Sequence, residues 1–467
     1  MSSITAGPNY PQWVPFSHQV DFIDKVVNKQ GKCFFYLRGD VGSGKTFALI
    51  ALANRFLQIQ PGARVLILCP AALRQQFIKM LHEGRTPAIL VDRYKFREML
   101  DNSNTAELWP SGVAIVMSYD FAKQLDIRDS LASTHWDLMI IDEAHMLGGA
   151  RKDLFQLIEP VTERTVLATL TSLQVDVPQI QEAEKIIWHR DGLIAPDGKP
   201  LYGELKPLMQ EIFFTLNQEE KAISMIVDAM CLKLEAGAEQ QRFFAKILRR
   251  SLHSSPASLE STLRRAALSA EIRDEENELM GNEFLTEKYM PNDLQRATDE
   301  IVKTYGEQAL EKLETLHLDS KLNALRNFLE NLQDFKRTNR LIFVITDFIS
   351  TLNYLIAALE EIGHSCLKLY GEMSFAARHE LLRKFIETGD ILITTRGMMT
   401  EGLDLKEVTD LVLYDLPQSK ISTQMVLGSF DRFGRTKQLN VYAFAESEST
   451  DSNFLESLHL LKEMVQK

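Results

Sequence analysis

Apolar residues in this chain fall mostly in short unbroken runs rather than in alternation. Five such runs cover residues 33–37, 65–69, 113–117, 138–141 and 166–168, with helix-like sequence between successive runs. A strand that is apolar on both sides is covered on both faces, so the pattern predicts a parallel sheet between layers of helices. Helices are predicted before the first run, from Pro15 through Val27, and directly after it, over 47–53. A second set of runs covers 341–345, 366–370, 391–394, 411–414 and 441–444 and predicts a second parallel sheet. Between the two sets, 173–215 is mixed, with turn signals at Asp191-Gly192, Pro196-Asp197-Gly198 and Lys199-Pro200, and reads as a linker with a hairpin. From 217 to 318 the pattern is helical, with Asn217 capping Gln218-Glu219-Glu220. A closing amphipathic helix over 453–465 places Phe454, Leu458, Leu461 and Val465 on one side. The predicted class is α/β: a parallel-sheet domain over 1–185, a linker and largely helical insertion over 186–318, and a second parallel-sheet domain over 319–467.

At 467 residues the chain is too long for one core. The absence of an apolar run of 18 residues argues against a membrane span. Met1 to Gln12 is polar and lacks a charged-then-apolar leader pattern. Cys33, Cys69, Cys231 and Cys366 lie far apart and form no metal-type pair, so buried reduced thiols in a cytoplasmic protein are expected. The net charge of −12 argues against coating nucleic acid through bulk charge, while leaving room for a local basic groove.

The strongest candidate chemistry sits between the first run and its helix, at Gly39-Asp40-Val41-Gly42-Ser43-Gly44-Lys45-Thr46. Three glycines let the backbone curl until its N–H groups face one centre, and a helix N-terminus adds partial positive charge there. Lys45 is then expected to reach the outer phosphates of a nucleotide, and the Thr46 hydroxyl to hold Mg²⁺. The fourth run ends in Asp142-Glu143-Ala144-His145. Two carboxylates at a strand's carboxyl end suit nucleotide hydrolysis: Asp142 to hold Mg²⁺ through water, Glu143 to position and deprotonate the attacking water. The plainer alternative is an acidic pair opening a helix. His145 is placed to couple this site to Thr169 and Thr171 after the fifth run. Gln19 has the amide needed to read an adenine edge, although the residue alone reads as a plain surface glutamine. Arg249-Arg250 and Arg264-Arg265 could meet phosphates, but such pairs more often lie on a solvated face with local acids such as Glu260.

Taken together, these residues resemble the superfamily 2 helicases and translocases, whose motors are two RecA-like domains with a phosphate loop in the first alone. The resemblance implies ATP and Mg²⁺ as cofactors. It makes Gln19 the adenine reader and Gly39, Gly42, Ser43, Gly44, Lys45 and Thr46 the phosphate loop. Arg74 and Gln75, in Pro70-Ala71-Ala72-Leu73-Arg74-Gln75-Gln76-Phe77, match the segment that meets the nucleic-acid backbone. Thr394 and Thr395 open a second-domain segment ending Glu401-Gly402-Leu403-Asp404-Leu405, which senses nucleic acid and, through Gly402 and Asp404, nucleotide. Arg432, in Gly428-Ser429-Phe430-Asp431-Arg432-Phe433-Gly434-Arg435, is the implied arginine finger, catalytic with Lys45 and Glu143. Asp319-Ser320-Lys321-Leu322 and Leu248 to Pro256 resemble the Swi/Snf branch and its bacterial RapA-like members. That branch implies movement on double-stranded DNA, a recruiting protein partner and a place beside RNA polymerase or in antiviral defence. Ser429 stands where the first of two arginines is usual, and Ser172 replaces a usual proline. Two other readings remain: a strand-separating helicase on DNA or RNA, weighed down by the lack of an obvious wedge domain, and an ATP-gated scaffold with weak turnover.

Overall fold

The computed structural model describes residues 15–102, 108–170, 179–195, 198, 200–202, 205–267, 300–332, 340–371, 373–401, 403, 405–432, 434–449 and 451–466. The chain divides into two compact units near residue 203.

The first unit is built on a seven-stranded sheet. Its strands are β1 Cys33–Gly39, β2 Arg64–Cys69, β3 Ala88–Leu90, β4 Val113–Ser118, β5 Trp136–Ile141, β6 Thr162–Thr169 and β7 Glu184–Trp188. They lie in the order β3-β4-β2-β5-β6-β1-β7, and every pair is parallel. Alternate residues of each apolar run serve opposite faces. Phe35, Leu37, Val65, Ile67, Leu138, Ile140 and Val166 pack with Phe22, Leu49, Phe56 and Phe77 from helices on one side. Tyr36, Leu66, Leu68, Met139, Ile141 and Leu167 pack with Phe96, Ile127, Leu154 and Phe155 on the other.

The second unit repeats the plan with β8 Leu208–Phe214, β9 Ile342–Thr346, β10 Cys366–Leu369, β11 Ile391–Thr395, β12 Asp410–Leu413 and β13 Asn440–Glu446. Their order is β10-β11-β9-β12-β13-β8, again all parallel. Phe343, Ile345, Leu411 and Leu413 face one helical layer, which includes Leu458, Leu461 and Val465 of the closing helix Ser452–Gln466. Ile342, Val344, Val412 and Tyr442 face the other.

Three strands lie outside the ten apolar runs. β3 has three residues, all partly exposed. β7 is an edge strand with exposed Lys185 and Ile187, so it lacks a continuous apolar run. β8, read from sequence as part of the linker, is the edge of the second sheet and pairs along its whole length with β13. The 186–318 span thus carries a strand of the second sheet as well as helices.

Those helices, Gln218–Glu235, Glu239–Ser254 and Pro256–Ala267, pack with Glu307–Glu314 around Val227, Met230, Leu234, Leu248, Leu263 and Ala309. Asn217 caps the first of them: its Oδ1 accepts from the Glu220 N–H at 3.0 Å, and the Asn217 N–H donates to Glu220 Oε2 at 2.7 Å. Three of the four paired arginines of this segment meet carboxylates, and Arg265 donates to the Ser261 hydroxyl. Arg249 binds Asp228 and Glu235, Arg264 binds Glu260 and Glu314, and Arg250 binds Asp347.

The inserted helices join the second sheet through a buried charge pair. Lys321 Nζ lies 3.0 Å from Asp415 Oδ1, with the two side chains 9% and 7% exposed, and it also donates to the His253 carbonyl at 2.6 Å. Asp415 Oδ2 accepts from Ser254 Oγ, Thr346 Oγ1 and the Asp347 N–H at 2.7, 2.6 and 2.8 Å. Burial pushes the Asp415 carboxyl up, but the Lys321 ammonium and these hydrogen bonds outweigh it and hold the group below the usual aspartate range. The stabilisation is therefore present at neutral pH and lost as pH falls through the depressed value. Lys321→Met should strand the carboxylate and cost about 3–5 kcal/mol of local stability. Hydrogen exchange in β9 and β12 measures it; protection equal to that of the unsubstituted chain would rule out this role for the pair.

Candidate active site

In a parallel sheet the carboxyl ends of the strands form one rim, and in the first unit the predicted chemistry gathers there. β1 delivers Gly39, β4 leads into Tyr119, β5 into Asp142, and β6 ends at Thr169.

The loop after β1 turns through Gly42 and Gly44 at φ 82° and 81°, a left-handed backbone that favours glycine. A Cβ on Gly44 would lie 2.3 Å from Gln19 Nε2 and would push that amide aside. The helix Lys45–Ile59 starts at once, so its first N–H groups point into the curl. Ser43 and Lys45 are buried there. Lys45 Nζ donates to the carbonyls of Gly39 and Asp40 at 2.6 and 3.2 Å. Burial lowers its pKa, against the raising charges of Glu143, Asp142 and Asp40.

Thr46 Oγ1 donates to Asp142 Oδ2 at 3.0 Å. Asp142 is fully buried, and burial, followed by the Glu143 charge, pushes its carboxyl up to about 7. A hydroxyl and a carboxylate at this spacing are hard oxygen donors that fit Mg²⁺, which takes one or two protein oxygens beside nucleotide phosphates and waters. No group of three His, Cys, Asp or Glu side chains among the described residues could hold a metal, so this is not an all-protein cage. Tyr119, also fully buried, donates its hydroxyl to the Asp142 carbonyl and fixes the loop from behind.

Glu143 takes φ 52°, ψ 47°, a left-handed conformation that a non-glycine residue adopts only when its surroundings impose it. Its N–H donates to Asp142 Oδ1 at 2.9 Å. Its Oε2 lies 3.2 Å from His145 Nδ1, at ion-pair distance but out of hydrogen-bond alignment. Burial pushes the Glu143 carboxyl up, and the adjoining His145 ring and Lys45 ammonium more than reverse it. The carboxylate is thus kept ionised beside the loop, as a base for water requires. His145 therefore meets Glu143. Thr169 is fully buried at the end of β6, and Thr171 lies outside the described residues.

Gln19 is not the surface glutamine that the residue alone suggests. It is 1% exposed; Oε1 accepts from the Phe16 N–H at 2.9 Å, and Nε2 donates to the Gly44 carbonyl at 3.1 Å. The surrounding wall was not singled out from sequence. His18 lies 3.3 Å from the Ser43 carbonyl, stacks on Phe16, and stands edge-on to Trp188 at 4.7 Å. Asp40 ties the loop to the end of β7, its N–H donating to the Trp188 carbonyl and its Oδ2 accepting from the Arg190 N–H.

Arg74 and Gln75 begin the helix Arg74–Glu83 past the carboxyl end of β2, Arg74 partly exposed and Gln75 exposed. In the second unit, Thr394 is fully buried and its hydroxyl donates to the Leu369 carbonyl at 2.8 Å, so that hydroxyl already has a backbone partner. Thr395, next to it, is partly exposed. Gly402 and Asp404 lie outside the described residues. Arg432 follows the helix Lys420–Phe430 and is partly buried. Ser429 is buried within that helix, its hydroxyl donating to the Met425 carbonyl at 3.0 Å.

A phosphate loop on one parallel sheet, followed by a second sheet of the same plan without one, defines a nucleotide hydrolase of the two-domain RecA type. Family models agree. Residues 12–172 match "Type III restriction enzyme, res subunit", and 320–437 match "Helicase conserved C-terminal domain". The chain is 21% identical over 481 residues to the uncharacterized ATP-dependent helicase YqhH of Bacillus subtilis, covering 97% of this chain and 80% of that one. It is 24% identical over 471 residues to the RNA polymerase-associated protein RapA of Proteus mirabilis, covering 91% of this chain; it spans 47% of RapA. Two solved structures share the fold: the Pyrococcus furiosus Hef helicase domain and S. cerevisiae Dbp5 bound to RNA and ADP BeF3. Hef gives a TM-score of 0.54 at 15% identity over 95% of this chain and 98% of that one; Dbp5 gives 0.51 at 14% over 97% and 88%. The chain belongs to the superfamily 2 helicases and translocases, and among them it is similar to the RapA-like members of the Swi/Snf branch.

Glu143→Gln should keep nucleotide binding and cut hydrolysis by about 10²–10⁴-fold, the range for a positioned base. Lys45→Ala should abolish hydrolysis as well. Phosphate release at saturating ATP checks both, and full activity in either variant would remove that residue from the site.

Proposed function

We propose that this chain is an ATP-driven motor that moves on double-stranded DNA and remodels protein–DNA complexes. The observation that carries its ATPase half is the constellation of buried Lys45 and Asp142 with partly exposed Thr46 and Glu143 on one rim of the first sheet. Lys45 grips the outer phosphates, Thr46 and Asp142 hold Mg²⁺, which offsets phosphate charge when bound, and Glu143 takes a proton from the attacking water. Gln19 would release the Gly44 carbonyl to read the adenine edge. Arg432 would supply the guanidinium that meets charge developing on the γ-phosphate.

The substrate half rests on the similarity to RapA along nearly the whole of this chain. Arg74, Gln75, Thr395 and the turn after β11 are the proposed contacts to the nucleic-acid backbone. Thr394 would support that turn through its bond to Leu369. Such contacts read phosphate and not sequence, so a protein partner would bring the motor to its site.

Duplex DNA should stimulate hydrolysis more than single-stranded DNA or RNA, and the chain should displace a triplex-forming strand while leaving a forked duplex paired. Fork unwinding instead would favour the strand-separating reading; no hydrolysis with any nucleic acid would favour the scaffold. Arg432→Ala should leave ATP affinity nearly intact and lose about 10³–10⁵-fold in stimulated turnover, the usual worth of an arginine finger. Lost ATP affinity with stimulation preserved would contradict the finger role.

A further inference from the structure

Within the second unit, the inserted helices meet the sheet through a second charge cluster. Arg250, on Glu239–Ser254, donates Nη2 to Asp347 Oδ2 at 2.7 Å. Asp347 follows β9, which lies between β11 and β12, and its side chain is 4% exposed. The other oxygen of this carboxylate is ion-paired with Arg396. Arg396 opens the 3₁₀ turn Arg396–Glu401 after β11 and also donates to the Asp415 and Leu416 carbonyls, at 3.3 and 2.9 Å. The Asp347 N–H is held by Asp415, the carboxylate that binds Lys321 and Ser254. One buried carboxylate thus takes a guanidinium from the inserted helices on one oxygen and one from the turn on the other.

This arrangement does not suit Arg250 as a contact for external phosphate. Its side chain is 21% exposed, its Nη2 is bound to Asp347, and the Phe348 ring lies 6.0 Å from its guanidinium. The Arg250–Asp347 bond is charge-assisted and directional, so a shift of Arg250 shifts Asp347, the carboxylate ion-paired with Arg396. The turn beginning at Arg396 leads directly into Gly402-Leu403-Asp404.

The geometry points to Arg250 and Asp347 as positioning residues: through Asp347, Arg250 orients Arg396 and the turn 396–401, so that the inserted helices set how strongly nucleic acid stimulates ATP hydrolysis. This inference rests on the proposed reading of the chain as a nucleic-acid-stimulated motor. It assigns the helices a part in coupling beyond covering the sheet.

The test uses the full chain, with steady-state ATPase measured without nucleic acid and with saturating duplex DNA, single-stranded DNA and RNA. Arg250→Gln should leave basal turnover and the KM for ATP unchanged and lower stimulation about ten- to a hundredfold, the worth of one charge-assisted hydrogen bond. Arg250→Lys, which keeps a point charge without the planar fork, should recover part of it. Asp347→Asn should lose stimulation as Arg250→Gln does, and the double variant should lose no more than either, because the residues act in series. Unchanged stimulation in Arg250→Gln overturns the inference, as does an equal loss of basal and stimulated rates. Asp347→Asn with full stimulation beside a defective Arg250→Gln also overturns it, since Arg250 would then act without Asp347. An unsubstituted chain that no nucleic acid stimulates overturns the motor reading and this inference together; a stimulated one with indifferent variants overturns this inference alone.

Discussion

A charge taken out of water must find a partner, and that constraint shapes both units of this chain. In the first, Lys45, Asp142 and Glu143 are brought to the rim of a sheet whose apolar faces exclude solvent. Lys45 rests on backbone carbonyls, Asp142 on a hydroxyl and a neighbouring N–H, and Glu143 beside an imidazole. In the second, Asp415 and Asp347 hold the same kind of rim together with Lys321, Arg250 and Arg396. Both rims depend on parallel pairing, which directs every strand's carboxyl end the same way.

The two rims use their buried charge differently. The first concentrates groups whose ionisation is pulled in opposite directions, with Asp142 up to about 7 and Glu143 down. Neighbouring carboxylates separated in this way suit different tasks, one as a metal-facing ligand and one as a base. In the second, Asp415 and Asp347 meet cations, hydroxyls and an N–H from several chain segments, and the pairing fastens parts together. The inserted helices belong physically to this second unit: Ser254 and Ser255 at the helix break bond Thr351, at 2.7 Å each, and Ser254 also bonds Asp415.

What could be read from the sequence was what is local. The phosphate loop spans a few consecutive residues whose glycines permit the left-handed turns it makes, and Asp142-Glu143 ends a short apolar run that reads as a buried strand. Gln19 could not be read in this way, because its burial depends on a loop 25 residues further on. Thr394 belongs to a segment with a family resemblance, yet its hydroxyl faces a backbone carbonyl on the neighbouring strand. β8 alternates as edge strands do, and its partner β13 lies near the other end of the chain. Arg249 and Arg250 look alike in sequence, and only the fold sends one to helix acids and the other to Asp347. The left-handed backbone of Glu143 leaves no mark in composition or periodicity.

The aromatic wall beside the loop has an optical consequence. All four tryptophans, Trp13, Trp109, Trp136 and Trp188, precede residue 204, so every indole of the chain belongs to its first part. Trp109, Trp136 and Trp188 are all buried, and Trp188 is edge-on to His18, which itself touches the Ser43 carbonyl. An imidazole next to an indole is a quencher whose strength follows its protonation and distance. The chain therefore carries a native fluorophore one side chain removed from its phosphate loop.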